Sequence, residues 1–333
     1  MSSAASASAY AAAHSGAGLI VRQHGLIVMH GRDRASYLQG LLTNDIAALT
    51  PGLGCYAAYL TAQGRMISDL HVYELGDAIL LTLPPATKDT VLAKLDQFIF
   101  SEDVQLADAT DAFASLAVAG PAAASVVAAA LGHPAGDLEG LPLHGNRRVE
   151  ALGHTLILLR VDDLGVPAFE IVMPREALTG LSDALRSAGA VDMDDATAHV
   201  LRVEAGIPLF GADMDEETIP LEAGLESRAI SQTKGCYVGQ EIIIRVLHRG
   251  HGRVARKLVG LVFDGDDVPQ PGTTLHVPDK EVGAVTSSAW SPALGRAIAL
   301  GYVKRDVAEP GTSVTSPDGR TAQVVALPFT PRS

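Results

Sequence analysis

The residues best suited to chemistry lie in one octapeptide, KGCYVGQE at 234–241, where Lys234, Gly235, Cys236, Tyr237, Gly239, Gln240 and Glu241 precede the apolar run Ile242, Ile243, Ile244. A cation, a thiol and two turn glycines ahead of such a run predict a loop feeding a helix. Helix N-termini collect unpaired N–H groups and partial positive charge. A cysteine there, two positions after a lysine, is expected to ionise more easily than a free thiol. Cys236 is therefore the first candidate for chemistry, as nucleophile, redox thiol or cluster contact. The competing reading is structural: glycines for an awkward backbone path, Tyr237 for packing, and Cys236 as a small buried apolar side chain. His248 and His251 are near in sequence, and a Cys/His pair is the minimum for nucleophilic catalysis, but spacing does not place them in contact. One cysteine makes no metal site, since zinc takes three or four ligands and iron–sulfur clusters several thiolates. No resident metal is expected.

The octapeptide resembles the signature of the YgfZ family, folate-binding proteins that support iron–sulfur enzymes and share a fold with the glycine cleavage T protein. The resemblance covers residues 19–327, and GRDRASYLQGLLTNDI at 31–46 and LRVEAGIPLFGADMD at 201–215 match patterns shared with T proteins. It implies tetrahydrofolate or a derivative as cofactor, and iron–sulfur client or assembly proteins as partners. A reduced folate asks for an acceptor for the pterin N–H donors, an apolar slot for the rings and cations for the glutamate tail. By resemblance, Glu204 in LRVEAG takes the place that holds the pterin, and Asp69 in GRMISDL the place beside the reactive one-carbon unit, both lining one cavity. Ser68 stands where T proteins often carry a second aspartate, which weakens the case for aminomethyl transfer. Asn44, with Asp45, is a further pocket candidate, although both are ordinary helix-stop residues. Arg228 and the basic residues Arg245, His248, Arg249, His251, Arg253, Arg256 and Lys257 are candidates for the tail carboxylates; surface arginines are more often simply solvated. The plain alternative for Glu204 is a solvent-facing carboxylate paired to Arg202 or Lys234.

Composition sets the frame. A chain of 333 residues, 47% hydrophobic, buries a large core in two or three domains. No apolar run reaches the roughly 18 residues of a membrane span, so no membrane insertion is expected. A net charge of −13 argues against nucleic acid. Cys55 and Cys236 form no disulfide framework, which fits a reducing cytoplasm. The first 18 residues, rich in Ala, Ser and Gly, are expected to be a disordered tail without a signal peptide.

The elements that must position these residues follow from periodicity. Helices are expected over residues 32–42, 85–98, 122–131, 174–188 and 194–205, with strands at 55–60, 66–75, 78–83, 104–107, 114–119, 155–161 and 169–173. Residues 132–145 read as a linker. Two successive β/α units of this kind argue for α+β rather than a Rossmann sheet. Short strands with regular turns after residue 256 suggest a small barrel. Together with the resemblance, this gives a T-protein-like folate-binding core of two ferredoxin-like β/α units, at 19–120 and 121–255, with a C-terminal small antiparallel β-barrel at 256–333. The functional expectation is a tetrahydrofolate-binding protein acting in assembly or repair of iron–sulfur clusters. The alternative is a tetrahydrofolate-dependent aminomethyltransferase or demethylase using Asp69, and a third reading is a non-catalytic adaptor.

Overall fold

The computed structural model describes residues 5–249, 253–278 and 280–330. Helix α1 (Ala7–Ser15) leads into strand β1 (Gly18–Arg22) of a first sheet. The chain then crosses to a second sheet through β2 (Gly25–His30), α2 (Arg34–Gln39), β3 (Gly54–Leu60), β4 (Met66–Glu74), β5 (Ile79–Leu83), α3 (Lys88–Gln97) and β6 (Gln105–Asp108). It returns to the first sheet with β7 (Phe113–Ala119), α4 (Ala123–Leu131), α5 (Gly136–Glu139), β8 (Asn146–Ala151), β9 (His154–Val161), β10 (Ala168–Pro174), α6 (Leu178–Ser187) and β11 (Val191–Asp192). Helices α7 (Asp195–Glu204), α8 (Glu226–Ala229) and α9 (Gln240–Ile244) connect to a closed barrel. The barrel contains β12 (Arg256–Phe263), β13 (Thr274–Val277), β14 (Lys280–Ser291), β15 (Arg296–Lys304), β16 (Ser313–Thr315) and β17 (Thr321–Val325).

The second sheet runs in the order β3-β4-β5-β2-β6 and the first in the order β11-β1-β7-β10-β9-β8. Each is a four-stranded ferredoxin-like sheet with an added edge strand, β3 or β8. The first is further enlarged by β1, which inserts between β7 and β11 and pairs parallel to β11. The units are therefore not the consecutive blocks 19–120 and 121–255: β1 and β7 belong to the sheet of the later unit. Strand insertion of this kind leaves no mark in local periodicity.

One face of each sheet carries helices. Val127, Leu181 and Leu185 of α4 and α6 pack on the first sheet, and Leu38, Val91 and Leu95 of α2 and α3 on the second. The opposite faces meet each other through Ala117, Leu159 and Val172 on one side and Leu26, Tyr73 and Leu80 on the other. Helix α7 presents Ala198 and Leu201 to this layer and Val200 and Val203 to barrel residues Ile298 and Leu300.

Residues 5–18 are not the disordered tail that composition suggests. Ser6 caps α1 by accepting from the Ala9 N–H, and Ala9 and Ala13 are fully buried against the inter-sheet layer. Alanine combines high helix propensity with a small side chain that permits close approach, but it gives little amphipathic signal. Residues 1–4 lie outside the described residues. The linker at 132–145 contains the short helix α5, whose Leu138 is buried.

Candidate functional site

Alternation along β4 turns Asp69, His71 and Tyr73 toward the first sheet, while Leu70 and Val72 pack under the helices. Tyr56 and Ala58 lie opposite His71 and Asp69 on β3, so Tyr56 shares their face. Its hydroxyl donates to Asp69 Oδ2 at 2.7 Å. From the facing sheet, β10 turns Glu170 inward between Ala168 and Val172. Glu170 Oε2 shares a hydrogen bond of 3.2 Å with Nε2 of His24, from the β1–β2 turn. Arg228 of α8 lies over the Tyr56 ring, 5.5 Å from its centroid, and pairs with Asp162 at 2.8 Å. Arg22 pairs with Asp163, and His144 packs against His71. These side chains come from both sheets and from four connecting segments, and they gather in one polar cluster between the sheets.

The polar balance of this cluster is incomplete. Asp69 Oδ1, Glu170 Oε1 and His144 Nδ1 are buried and make no hydrogen bond. Native interiors rarely leave such atoms unpaired, because each forfeits a hydrogen bond to water. Burial pushes the Asp69 carboxyl above the usual carboxylate range, against the opposing pull of the Tyr56 hydrogen bond, Arg228 and His24. Burial acts on Glu170 in the same sense, but His24 and Arg22 outweigh it and hold that carboxyl below its ordinary value. Burial lowers His71 well below a free imidazole, and the neighbouring His144, His24 and Arg228 lower it further. The cleft thus offers two carboxylate oxygens without partners, a guanidinium and neutral imidazole. That inventory suits a ligand with adjacent N–H donors and an anionic arm.

Residues 2–234 match the GCVT N-terminal domain, and residues 256–330 match the glycine cleavage T-protein C-terminal barrel domain. The chain belongs to the glycine cleavage T-protein family. An aminomethyltransferase of Rubrobacter xylanophilus is 32% identical over 314 residues, covering 94% of this chain and 83% of that protein. One from Streptomyces coelicolor is 32% identical over 293 residues, covering 86% of this chain and 78% of that protein. The crystal structure of the glycine cleavage system aminomethyltransferase T from Bartonella henselae superposes with a TM-score of 0.88 at 25% identity, over 98% of this chain and 89% of that one.

Within this T-protein fold, Asp69 and Arg228 both contact Tyr56, but Glu204, expected to line one cavity with Asp69, does not join them. Its carboxylate is 2% exposed, accepts from the Tyr10 hydroxyl at 2.7 Å and from Ser291, and ties α7 to α1 and to the end of β14. Neither Arg202 nor Lys234 is its partner: Arg202 pairs with Asp213 at 2.8 Å inside the protein. The carboxylate that sequence reasoning missed is Glu170, which looks like one polar position in an apolar strand; that irregularity in AFEIVMP was the available signal. Asn44 supports the site from behind. Its Nδ2 donates to the carbonyl of Tyr56 at 2.8 Å and to that of Arg228 at 3.4 Å, fixing both backbones.

The octapeptide runs from the C-terminal end of α2, at Lys234, to the β3–β4 hairpin turn, at Gly239. Lys234 is buried and its ammonium donates to the carbonyls of Gln39, Leu42 and Asn44 at 2.6–2.7 Å, closing the C-terminal end of α2. Burial lowers its pKa to about 8. Its charge faces Asp45 and Cys55, and Cys236 precedes by four positions the first residue of α9, a helix of only five residues. The helix end expected beside Cys236 is thus short and begins four residues after it. Tyr237 is buried, and Gly239, at φ +83°, lets the hairpin approach: a Cβ there would meet the Thr61 carbonyl at 2.6 Å. Cys236 is exposed.

A second, more open cleft of about 1360 Å³ lies beside the barrel, lined by Arg65, Glu217, Glu222, Arg256 and Tyr302 among others. Its charges largely answer one another, Arg65 with Glu217 and Arg256 with Glu222, so it makes a weaker claim on a ligand than the inter-sheet cluster. Arg256 of the basic group is thus engaged here, and His251 lies outside the described residues. Among the described residues, no group of His, Cys, Asp and Glu could hold a metal, and no helix is long and apolar enough to cross a membrane.

Proposed function

We propose that this chain binds a tetrahydrofolate derivative between its two sheets and transfers a one-carbon group there, as an aminomethyltransferase. The observation that carries this reading is the pair of buried, unpartnered carboxylate oxygens, Asp69 Oδ1 and Glu170 Oε1, contributed by facing sheets to one polar cluster. The names of the relatives support the same activity. A reduced folate, when bound, supplies the ring nitrogens that carry the one-carbon unit. Glu170 and Asp69 accept from its N–H groups, Tyr56 holds Asp69 in orientation, and Arg228 attracts the anionic arm. The inter-sheet apolar layer around Tyr73 and Leu80 keeps bulk water from the rings. Calorimetry with tetrahydrofolate tests the binding step: Asp69→Asn and Glu170→Gln should each weaken it at least tenfold. Equal affinity of both variants and the parent would remove the cleft from consideration.

The second reading, iron–sulfur cluster assembly or repair, is favoured by one observation. Lys234, Tyr237 and Gly239 of the octapeptide have structural work, whereas Cys236 is left exposed. A thiol so placed is available to a partner protein. Loss of iron–sulfur enzyme activity in cells carrying Cys236→Ser, with tetrahydrofolate binding intact, supports this reading; full activity removes it.

A further inference from the structure

Two imidazoles belong to the same cluster as Asp69, and His71 stacks on the Tyr73 ring with centroids 6.1 Å apart. His71 follows Asp69 by two positions on the same face of β4 and touches the Tyr56 ring, with centroids 5.0 Å apart. His144, from the segment after α5, packs against His71 with ring centroids 5.1 Å apart at 47°. This close approach is built into the backbone. Gly54 of β3 admits the His144 segment, because a Cβ there would lie 2.6 Å from the His144 carbonyl oxygen. His144 itself adopts φ +60°, a region that non-glycine residues seldom occupy.

The side chains do not satisfy one another. His144 Nδ1 is buried without a partner, and among the described residues the His71 side chain forms no hydrogen bond. His71 is nevertheless half-buried rather than sealed. Burial depresses both imidazoles, which leaves them neutral near pH 7, each with one N–H to donate and one lone pair. The charged groups nearby, Asp69, Glu170 and Arg228, cannot supply that neutral donor–acceptor chemistry. A pair kept only for packing would be expected to pair its ring nitrogens internally.

We propose that His71 and His144 form an imidazole wall that orients the ligand of the Asp69 cleft through hydrogen bonds to an uncharged carbonyl or ring nitrogen, making them specificity-determining residues. This rests on the folate reading and extends it. The two carboxylates take adjacent ring N–H donors, and the imidazoles take the neutral acceptor edge of the same ring. The favoured ligand is a heterocycle carrying a carbonyl next to its N–H groups.

Calorimetry at pH 7.5 with 5-formyltetrahydrofolate as probe tests it, with melting temperatures recorded for every variant. His71→Phe and His144→Phe keep ring volume and remove the hydrogen bonds, and each should weaken binding about 5- to 20-fold. His71→Gln and His144→Gln retain a donor and an acceptor and should recover most of the affinity, which a packing role would not produce. Phe variants that bind as tightly as the parent, or Gln variants as weak as Phe, overturn the inference alone. If a Phe variant does not fold, the Gln variant is compared with the corresponding Leu variant on the same terms. Failure of the parent protein to bind overturns both the inference and the folate reading.

Discussion

The Tyr56 hydroxyl donates to one oxygen of Asp69 at 2.7 Å and leaves the other oxygen buried and unpaired. The carboxylate is thereby held by one edge, and the other edge is left without a partner inside the protein. The hydrogen bond favours the ionised form, so its removal in Tyr56→Phe raises the Asp69 pKa beyond the increase that burial already imposes. Reduced-folate affinity should fall as pH drops, starting above the usual carboxylate range in the parent and at still higher pH in the variant. Calorimetry across pH 5 to 8 reads the shift. Superimposable pH curves would detach Tyr56 from the site.

Glu204 is a structural residue on this account. Glu204→Ala leaves the Tyr10 and Ser291 hydroxyls without their acceptor in a sealed region, at an expected loss of about 1–3 kcal/mol. Thermal unfolding should show this as a lowered midpoint, and Tyr10→Phe should share part of the loss. Folate affinity of the folded Glu204→Ala protein should stay within twofold of the parent. A large drop in affinity without a change in stability would return Glu204 to the ligand site.

His71 and His144 make stability sensitive to acid. Both are held below the ordinary imidazole pKa by burial, whereas the unfolded chain takes up protons near pH 6.5. Below that pH the unfolded state binds more protons, so stability decreases as pH falls, by up to about 1.4 kcal/mol per pH unit for each group. Chemical denaturation at pH 7.5 and 5.5 should show a smaller difference for His71→Leu than for the parent. Asp69, with a raised pKa, acts in the opposite sense, and comparing variant with parent cancels its contribution. An unchanged difference would mean that His71 is not neutral in the fold.

The two cysteines should separate by accessibility. Iodoacetamide at neutral pH should modify exposed Cys236 first, because burial pushes the Cys55 thiol up to about 12 and shields it. Peptide mass mapping over time reads the order. Faster labelling of Cys55 would contradict the placement of β3.

Much of the fold was legible in local pattern. The strand pairs around the Ala62-Gln63-Gly64 turn and after Pro167, and the Leu181–Leu185 helix face, all formed where periodicity put them. What escaped were relations between distant segments. β1 joins the sheet of the later unit, α1 is held by contacts that alanines do not advertise, and Glu204 looks the same in sequence whether it faces a ligand or a tyrosine. Asp69 was named through resemblance and Arg228 as a cation for the ligand tail. Glu170, His24, His71 and His144 were not, because what makes them a site is the meeting of two sheet faces, and periodicity reports only which face of its own strand a residue occupies.

The central claim is that a reduced folate lies between the two sheets, and a crystal structure with 5-formyltetrahydrofolate tests it most directly. The account predicts the pterin ring within hydrogen-bonding distance of Asp69 Oδ1 and Glu170 Oε1, with Arg228 toward the tail. Density for the ligand in the cleft lined by Arg65 and Arg256, or against Glu204, would contradict it.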